Sequence, residues 1–413
     1  MSPTTPNRWV IAAAGVVMQV ALGAIYAWSV FRTPLVEGFD WTISEVTLTF
    51  TIAIFVVGFA TFGGGIWMRR SGPRVVAIAA AVLYGGGIFL ASFTESLLWL
   101  YLSYGLLGGI GLGLGYIVPV ATLVKWFPDK RGMITGLAVA GFGAGALITA
   151  PIATRLIGTI GVLSTFGVLG IIYFVMVLGA GLFMQDPPPG YKPAGWEPPA
   201  PKTEEGGDGS APHLRFESAY TLARALRSWQ WYGLWTLLFL NTTAGIAIIS
   251  QAAPMAQEIT NVSAAAAAAT VGLISIANGV GRLFWAWLSD FIGRRSVFLV
   301  MFPLQAIIFW LLPSAGSLTA FATLAAIILL CYGGGFGTMP AFAADYFGTE
   351  HVGSIYGLML TAWSAAGVLG PTLIASMRES TGSYNQAMYV IAGLMLVSAV
   401  IPLFVRPPVA QAG

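Results

Sequence analysis

The sequence predicts an all-α integral membrane protein of twelve transmembrane helices, arranged as two pseudo-symmetric halves of six. Three observations lead there. The 413 residues are 57% hydrophobic and 8% charged, with a mean hydropathy of +0.81, against roughly 25% charge in soluble domains. Apolar stretches of about 20 residues, enough to cross a hydrocarbon core of about 30 Å, recur along nearly the whole chain, whereas a barrel would show short alternating segments. Finally, Gly72 in RRSGPR matches Gly293 in DFIGRR, and Gly132 and Gly136 match Gly353 and Gly357, always 221 residues apart.

The apolar spans fall near 9–31, 43–68, 75–93, 97–124, 132–153, 161–184, 232–256, 264–289, 297–313, 318–344, 353–376 and 386–404. The constant offset crosses two loops, so it marks one duplicated unit rather than chance glycines. Between 185 and 229 the composition turns to Pro, Gly, Glu and Lys, the signature of an extended connector. The expected organisation is a first bundle over 1–185, a connector over 186–228 and a second bundle over 229–413. A short amphipathic helix near 219–227 is expected on the membrane surface before the seventh span.

With both termini on one side, fifteen of the 19 Lys and Arg residues fall on that side and only Arg32, Arg155 and Arg378 on the other. Leaving out the five in the connector, the bias is still 10 to 3. The positive-inside rule then places both termini in the cytoplasm. The first span begins without a small-residue cleavage site and is expected to stay. The sequence pI near 9.0 comes from these loops and implies no nucleic-acid partner.

Enzymatic chemistry finds no residues to carry it. His213 lies in the connector and His351 in a turn, so no metal cluster is expected. No Ser, His and Asp share a plausible depth, and no Walker sequence supplies ATP hydrolysis, so no cofactor is expected. The single Cys331 excludes an intramolecular disulfide. Gly105, Gly109 and Gly113, and likewise Gly141 and Gly145, have the spacing of close helix packing.

The candidate site centres on Arg282, the one cation deep inside a membrane-length segment. An arginine at a helix centre costs about 2.5–3.5 kcal/mol on insertion scales, so it normally faces a ligand, a cavity or a partner. It lies eight residues before Asp290, or about 12 Å along the helix at 1.5 Å per residue, close to the midplane. No Asp or Glu shares that depth. Substrate-anion binding is the expectation, set against a structural arginine satisfied by carbonyls. Asn278, four residues earlier, shares its face. Tyr332, Tyr116, Tyr26 and Trp28 are candidate cavity residues by depth, each of which is equally suited to packing. Gln19 and Asn241 read as interhelical bonds.

The stretch AWLSDFIGRR at 286–295 resembles the loop signature of the major facilitator superfamily. That resemblance implies a gate built on Asp290, Arg294 and Arg295, beside the simpler reading that these charges set topology. In the first half Arg69 stands where the signature has Asp. GAIYAWSVFRTPL at 23–35, WFPDKRG at 126–132, PPPGYKPAGW at 187–196 and the arginine-bearing eighth span together resemble the oxalate/formate antiporter and monocarboxylate transporter group over essentially the whole chain. Oxalate exchangers of that group place a second cation where Trp363 stands, so the resemblance implies a monocarboxylate, and most of all a bacterial L-lactate transporter. Proton symport is implied by the family. Animal members, however, carry an Asp at the position of Asn278 and a Lys in the first span that this chain lacks.

The expected function is secondary active transport of a small monocarboxylate, L-lactate with a proton, by alternating access in a bacterial inner membrane. An oxalate/formate-type exchanger and a non-transporting membrane sensor or scaffold are the alternatives.

Overall fold

The computed structural model describes residues 6–197, 220–262 and 264–408. His213, Lys202 and Arg215 lie outside the described residues, as does the start of the expected surface helix. That helix is found as Leu222–Leu226, where the Thr221 hydroxyl accepts from the Arg224 amide at 3.3 Å.

The described residues are helical wherever they are regular, because a chain in lipid must satisfy every amide within itself. Ten helices are long and apolar enough to cross a membrane. One of them, Ile43–Leu90, turns at Gly72 with φ 78° and so holds the second and third spans. Ala264–Ile292, of 29 residues, adds the twelfth.

In order, the first span is Arg8–Gly23 with its continuation Trp28–Phe39, and the fourth is Leu97–Leu100, Tyr101–Gly108 and Gly109–Trp126. The fifth is Arg131–Ile160, the sixth Val162–Gly181, the seventh Trp229–Thr260 and the eighth Ala264–Ile292. Arg294–Leu311 and Leu318–Phe347 are the ninth and tenth. Val352–Met359 with Thr361–Thr381 is the eleventh, and Asn385–Ser398 with Ile401–Phe404 the twelfth. An even number of crossings brings both chain ends to one face, called the terminus-bearing face below.

Helix ends follow local chemistry. Thr42 and Glu45 form a reciprocal capping box at the start of the second span, with the Thr42 amide donating to Glu45 Oε2 at 2.8 Å. Gly72 and Gly293, the repeat-related glycines, both have positive φ, 78° and 87°, and each ends the second helix of its half.

Periodicity does not show where the spans break. The first changes to a tighter 3-10 turn over Ala24–Ala27, next to Gly23, where a Cβ would meet the Phe142 carbonyl of the fifth span. The fourth widens to a π-helical stretch over Tyr101–Gly108. The eleventh breaks at Leu360.

The halves meet where the fifth span crosses the eighth and the eleventh crosses the second. A Cβ on Gly136 would stand 2.7 Å from the Arg282 carbonyl oxygen, and one on Gly357 2.6 Å from that of Thr61. The two crossings are therefore copies of one contact. Within the first half, Gly105, Gly109 and Gly113 seat the fourth span on the second, and Gly141 and Gly145 seat the fifth on the first.

Candidate functional site

The fifth and eighth spans place Arg282 at the centre of the molecule, with none of its surface exposed. Its Nε donates to Asn278 Oδ1 at 3.3 Å, one turn back along the helix, and its Nη1 to the Val139 carbonyl at 3.4 Å. Nη2 has no hydrogen-bond partner. No ion pair among the described residues involves Arg282.

The guanidinium carbon lies 5.3 Å from the Phe142 ring centre and 5.1 Å from that of Phe336, within cation–π range. These contacts and two weak hydrogen bonds leave one donor nitrogen buried and unmatched. Leaving such a group unsatisfied costs on the order of 1–3 kcal/mol, and more for a charged one.

The rings of Tyr26, Tyr116, Phe142, Phe336 and Trp363 form one cluster around the arginine. Trp363 stands 6.3 Å from Tyr26, 5.7 Å from Tyr116, 5.8 Å from Phe142 and 5.1 Å from Phe336. The Tyr26 and Tyr332 hydroxyls, from opposite halves, face each other at 3.5 Å. Tyr26, Tyr116, Tyr332 and Tyr356 all lie within electrostatic reach of Arg282. The hydroxyls of Tyr116 and Tyr356 and Nε1 of Trp363 are buried without partners. The cluster thus offers one cation and several hydroxyl or indole donors inside an apolar wall, suited to an anion with a small polar appendage.

The structure brings together Arg282, Asn278, Tyr26, Tyr116, Tyr332 and Trp363. Trp28 lies apart from them: its ring packs on Tyr104 at 4.5 Å and stacks toward Phe166 at 6.4 Å within the first half. Phe142, Phe336 and Tyr356 were not singled out from sequence. Phenylalanine carries no polar signal, and Tyr356 is two turns from Trp363 across a helix break.

Behind the cluster, Gln19 donates to the Tyr116 carbonyl at 3.1 Å, and Asn241 to the Tyr332 carbonyl at 3.1 Å. Gln305 in turn donates to Asn241 Oδ1 at 3.0 Å. These bonds tie the first span to the fourth, the seventh to the tenth and the ninth to the seventh.

A second cluster lies toward the terminus-bearing face. Asp290 accepts from the Gly132 amide at 2.9 Å and the Met133 amide at 2.8 Å, at the positive N-terminal end of the fifth span. Arg294 pairs with Asp290 at 2.7 Å and with Asp345 at 3.0 Å. Asp345 also receives Arg131 at 2.9 Å, across the two halves. Arg295 is not in this network: its guanidinium donates to the Pro402 and Leu403 carbonyls at the end of the twelfth span. Arg131 and Asp345 complete the network in its place. Their sequence separation of 214 residues hides the pairing.

Comparison with known proteins agrees with this architecture. The family model described as Major Facilitator Superfamily matches residues 10–255 and 234–413. An uncharacterized MFS-type transporter of Escherichia coli is 30% identical over 86% of this chain and 84% of its own. The oxalate:formate antiporter of Oxalobacter formigenes is 26% identical over 97% of this chain and 92% of its own. Monocarboxylate transporter 13 of Rattus norvegicus is 27% identical over 92% and 84%. Among solved structures, a fucose transporter in the outward conformation aligns with a TM-score of 0.71 at 15% identity, covering 97% of this chain and all of the other, which shows the fold. With twelve spans in two related halves and a family match along nearly its whole length, the chain is a multi-pass membrane protein that belongs to the Major Facilitator Superfamily.

Proposed function

We propose that this protein is a secondary carrier of small monocarboxylates, taking up L-lactate with a proton by alternating access. The observation that carries the reading is Nη2 of Arg282, buried without a partner beside unpartnered tyrosine and tryptophan donors. A substrate carboxylate supplies the missing acceptor and the missing charge. Asn278 fixes the guanidinium from below, and Tyr26, Tyr116 and Tyr332 supply hydroxyls for the carboxylate or the substrate's own hydroxyl. Relatives named as an oxalate:formate antiporter and as monocarboxylate transporters support a carboxylate cargo.

One arginine balances one carboxylate. Trp363 is fully enclosed by four aromatic rings, so a second carboxylate would meet indole and phenyl surface where its charge is poorly compensated. That favours monoanions over oxalate. No carboxylate stands near Arg282 to accept a proton, so the reading has the proton travel on the substrate carboxyl.

In this reading residues 1–185 and 229–413 rock as two bundles joined by the connector at 186–228. The Asp290, Arg294, Asp345 and Arg131 network is the gate on the terminus-bearing face, which lies in the cytoplasm of a bacterial cell. Substrate binding neutralises Arg282 between the halves and frees them to rearrange.

The test is uptake of radiolabelled L-lactate by purified protein in liposomes, with and without an inward proton gradient. Accumulation that follows the gradient and disappears in Arg282→Gln is the expected result. Gradient-indifferent uptake overturns symport, and retained uptake by Arg282→Gln overturns the anion site.

A further inference from the structure

The two halves are not equally neutralised at the terminus-bearing face. In the second half, Asp290 caps the N-terminal amides of the fifth span. The residue 221 positions earlier, where the repeat would place the matching acid against the eleventh span, is Arg69. At the start of the eleventh span stands His351, 4% exposed, with Nδ1 unpartnered. Arg69 and Lys125 both lie within electrostatic reach of its ring. The one acid on it is Glu350, at 3.7 Å and largely exposed.

Next to this cationic corner is a pocket of about 270 Å³, at the lower end of the size of small-molecule sites. Its walls come from three parts of the chain: Lys125 and Arg131 from the first half, Tyr191, Lys192 and Trp196 from the connector, and Thr349 from the second half. Three cations line it and no acid does. The flanking acids are Asp186, which pairs with Lys125 at 2.7 Å, and Asp345, which is shared between Arg131 and Arg294.

The connector wall is held in place. Trp126 Nε1 donates to the Gln185 carbonyl at 2.7 Å, and the Trp126 ring meets Tyr191 edge-on at 4.8 Å. PPPGYKPAGW therefore folds back as one side of a basic, aromatic-walled cavity.

We propose that the pocket between Lys125, Arg131, Lys192, Tyr191, Trp196 and Thr349 binds a phosphate-bearing anion, which supplies the negative charge that the first repeat lacks. Phosphate suits the site better than a single carboxylate because it presents several oxygens to cations arriving from different walls. The ligand is either a free phosphorylated anion or the headgroup of an acidic lipid, since the pocket lies on the membrane-flanking face.

Pyrophosphate serves as the probe, titrated onto the full-length protein in phosphatidylcholine nanodiscs. Saturable binding is expected, weakened at least about tenfold in Lys125→Gln combined with Lys192→Gln, as removal of charge-assisted contacts requires. Lys192 is exposed and outside every helix, so Lys192→Glu gives the same test without disturbing the bundle. Substituting phosphatidylglycerol for part of the lipid then separates the sources: reduced pyrophosphate affinity identifies a headgroup as the ligand, and unchanged affinity a free anion. The absence of saturable binding by the wild type, or wild-type affinity in either folded variant, overturns the proposal.

Discussion

Arg282 and Thr61 occupy the same place in the two repeats, 221 residues apart, yet only one of them is charged. Each carbonyl receives a glycine of the opposite half, Gly136 against Arg282 and Gly357 against Thr61. Thr61 satisfies itself locally, its hydroxyl donating to the Gly58 and Gly357 carbonyls at 2.8 and 3.1 Å. Arg282 keeps an unmatched nitrogen. One crossing thus serves as a structural joint, and its copy carries the candidate binding site.

Removing the charge while keeping a polar side chain tests that asymmetry. Arg282→Gln is expected to weaken lactate binding by at least about a hundredfold, the order lost when one partner of a buried charge pair is removed. Thr61→Ser, at the equivalent position, should leave binding near wild type. Equilibrium binding to the detergent-solubilised proteins measures both, with melting temperature confirming that each is folded.

Close packing beneath Arg282 is a separate matter from its charge. Gly337 of the tenth span leaves no room for a Cβ beside the Arg282 carbonyl, which is backbone and cannot rotate aside. Gly337→Ala should therefore destabilise the protein by roughly 1–3 kcal/mol, as overpacking does. A lower melting temperature in detergent, together with reduced lactate uptake, is the expected outcome.

Trp363→Lys would put a second cation into the ring cluster. It is expected to let oxalate compete with labelled lactate at least about tenfold more effectively than in the wild type, because the second carboxylate gains a counter-charge at low dielectric. Competition curves in proteoliposomes decide this, and an unchanged oxalate curve would remove Trp363 from the specificity argument.

Asp290→Asn keeps the side-chain shape but loses the charge that holds Arg294 and faces the fifth span's N-terminus. It should open the terminus-bearing face more often. Labelling of a cysteine introduced at Gly136, in the Cys331→Ser background, is expected to rise several-fold over the same cysteine with Asp290 intact, an effect of about 1 kcal/mol in the closing equilibrium.

His351 gives a pH signature. Burial, followed by the positive charge of Arg69, holds its imidazole below the ordinary histidine range, partly offset by Glu350. The folded protein therefore disfavours protonation, so the stability His351 contributes is full above the unfolded histidine value near 6.5 and is lost as pH falls below it. Melting temperature followed from pH 8 to pH 5 should fall more steeply for the wild type than for His351→Gln.

The sequence by itself determined the class, the twelve spans, the duplicated unit and the single intramembrane arginine. Each of these is written in local composition or constant spacing: lipid demands apolar length, duplication preserves glycine offsets, and a charge at the midplane stands out against its neighbours. Asn278 was legible too, because helical geometry fixes what lies four residues away. The aromatic cluster was legible only as depth. Depth put Tyr26 and Trp28 on the same footing, and the 3-10 turn at Ala24–Ala27 then carried one toward Arg282 and left the other against Phe166. Likewise Arg131 and Asp345 gave no sign of their pairing, and Arg295 no sign of turning to the twelfth span. Only the tertiary structure decided these, because which side chains meet across 200 residues depends on helix breaks and crossings set by packing, and packing is not a local property of the chain.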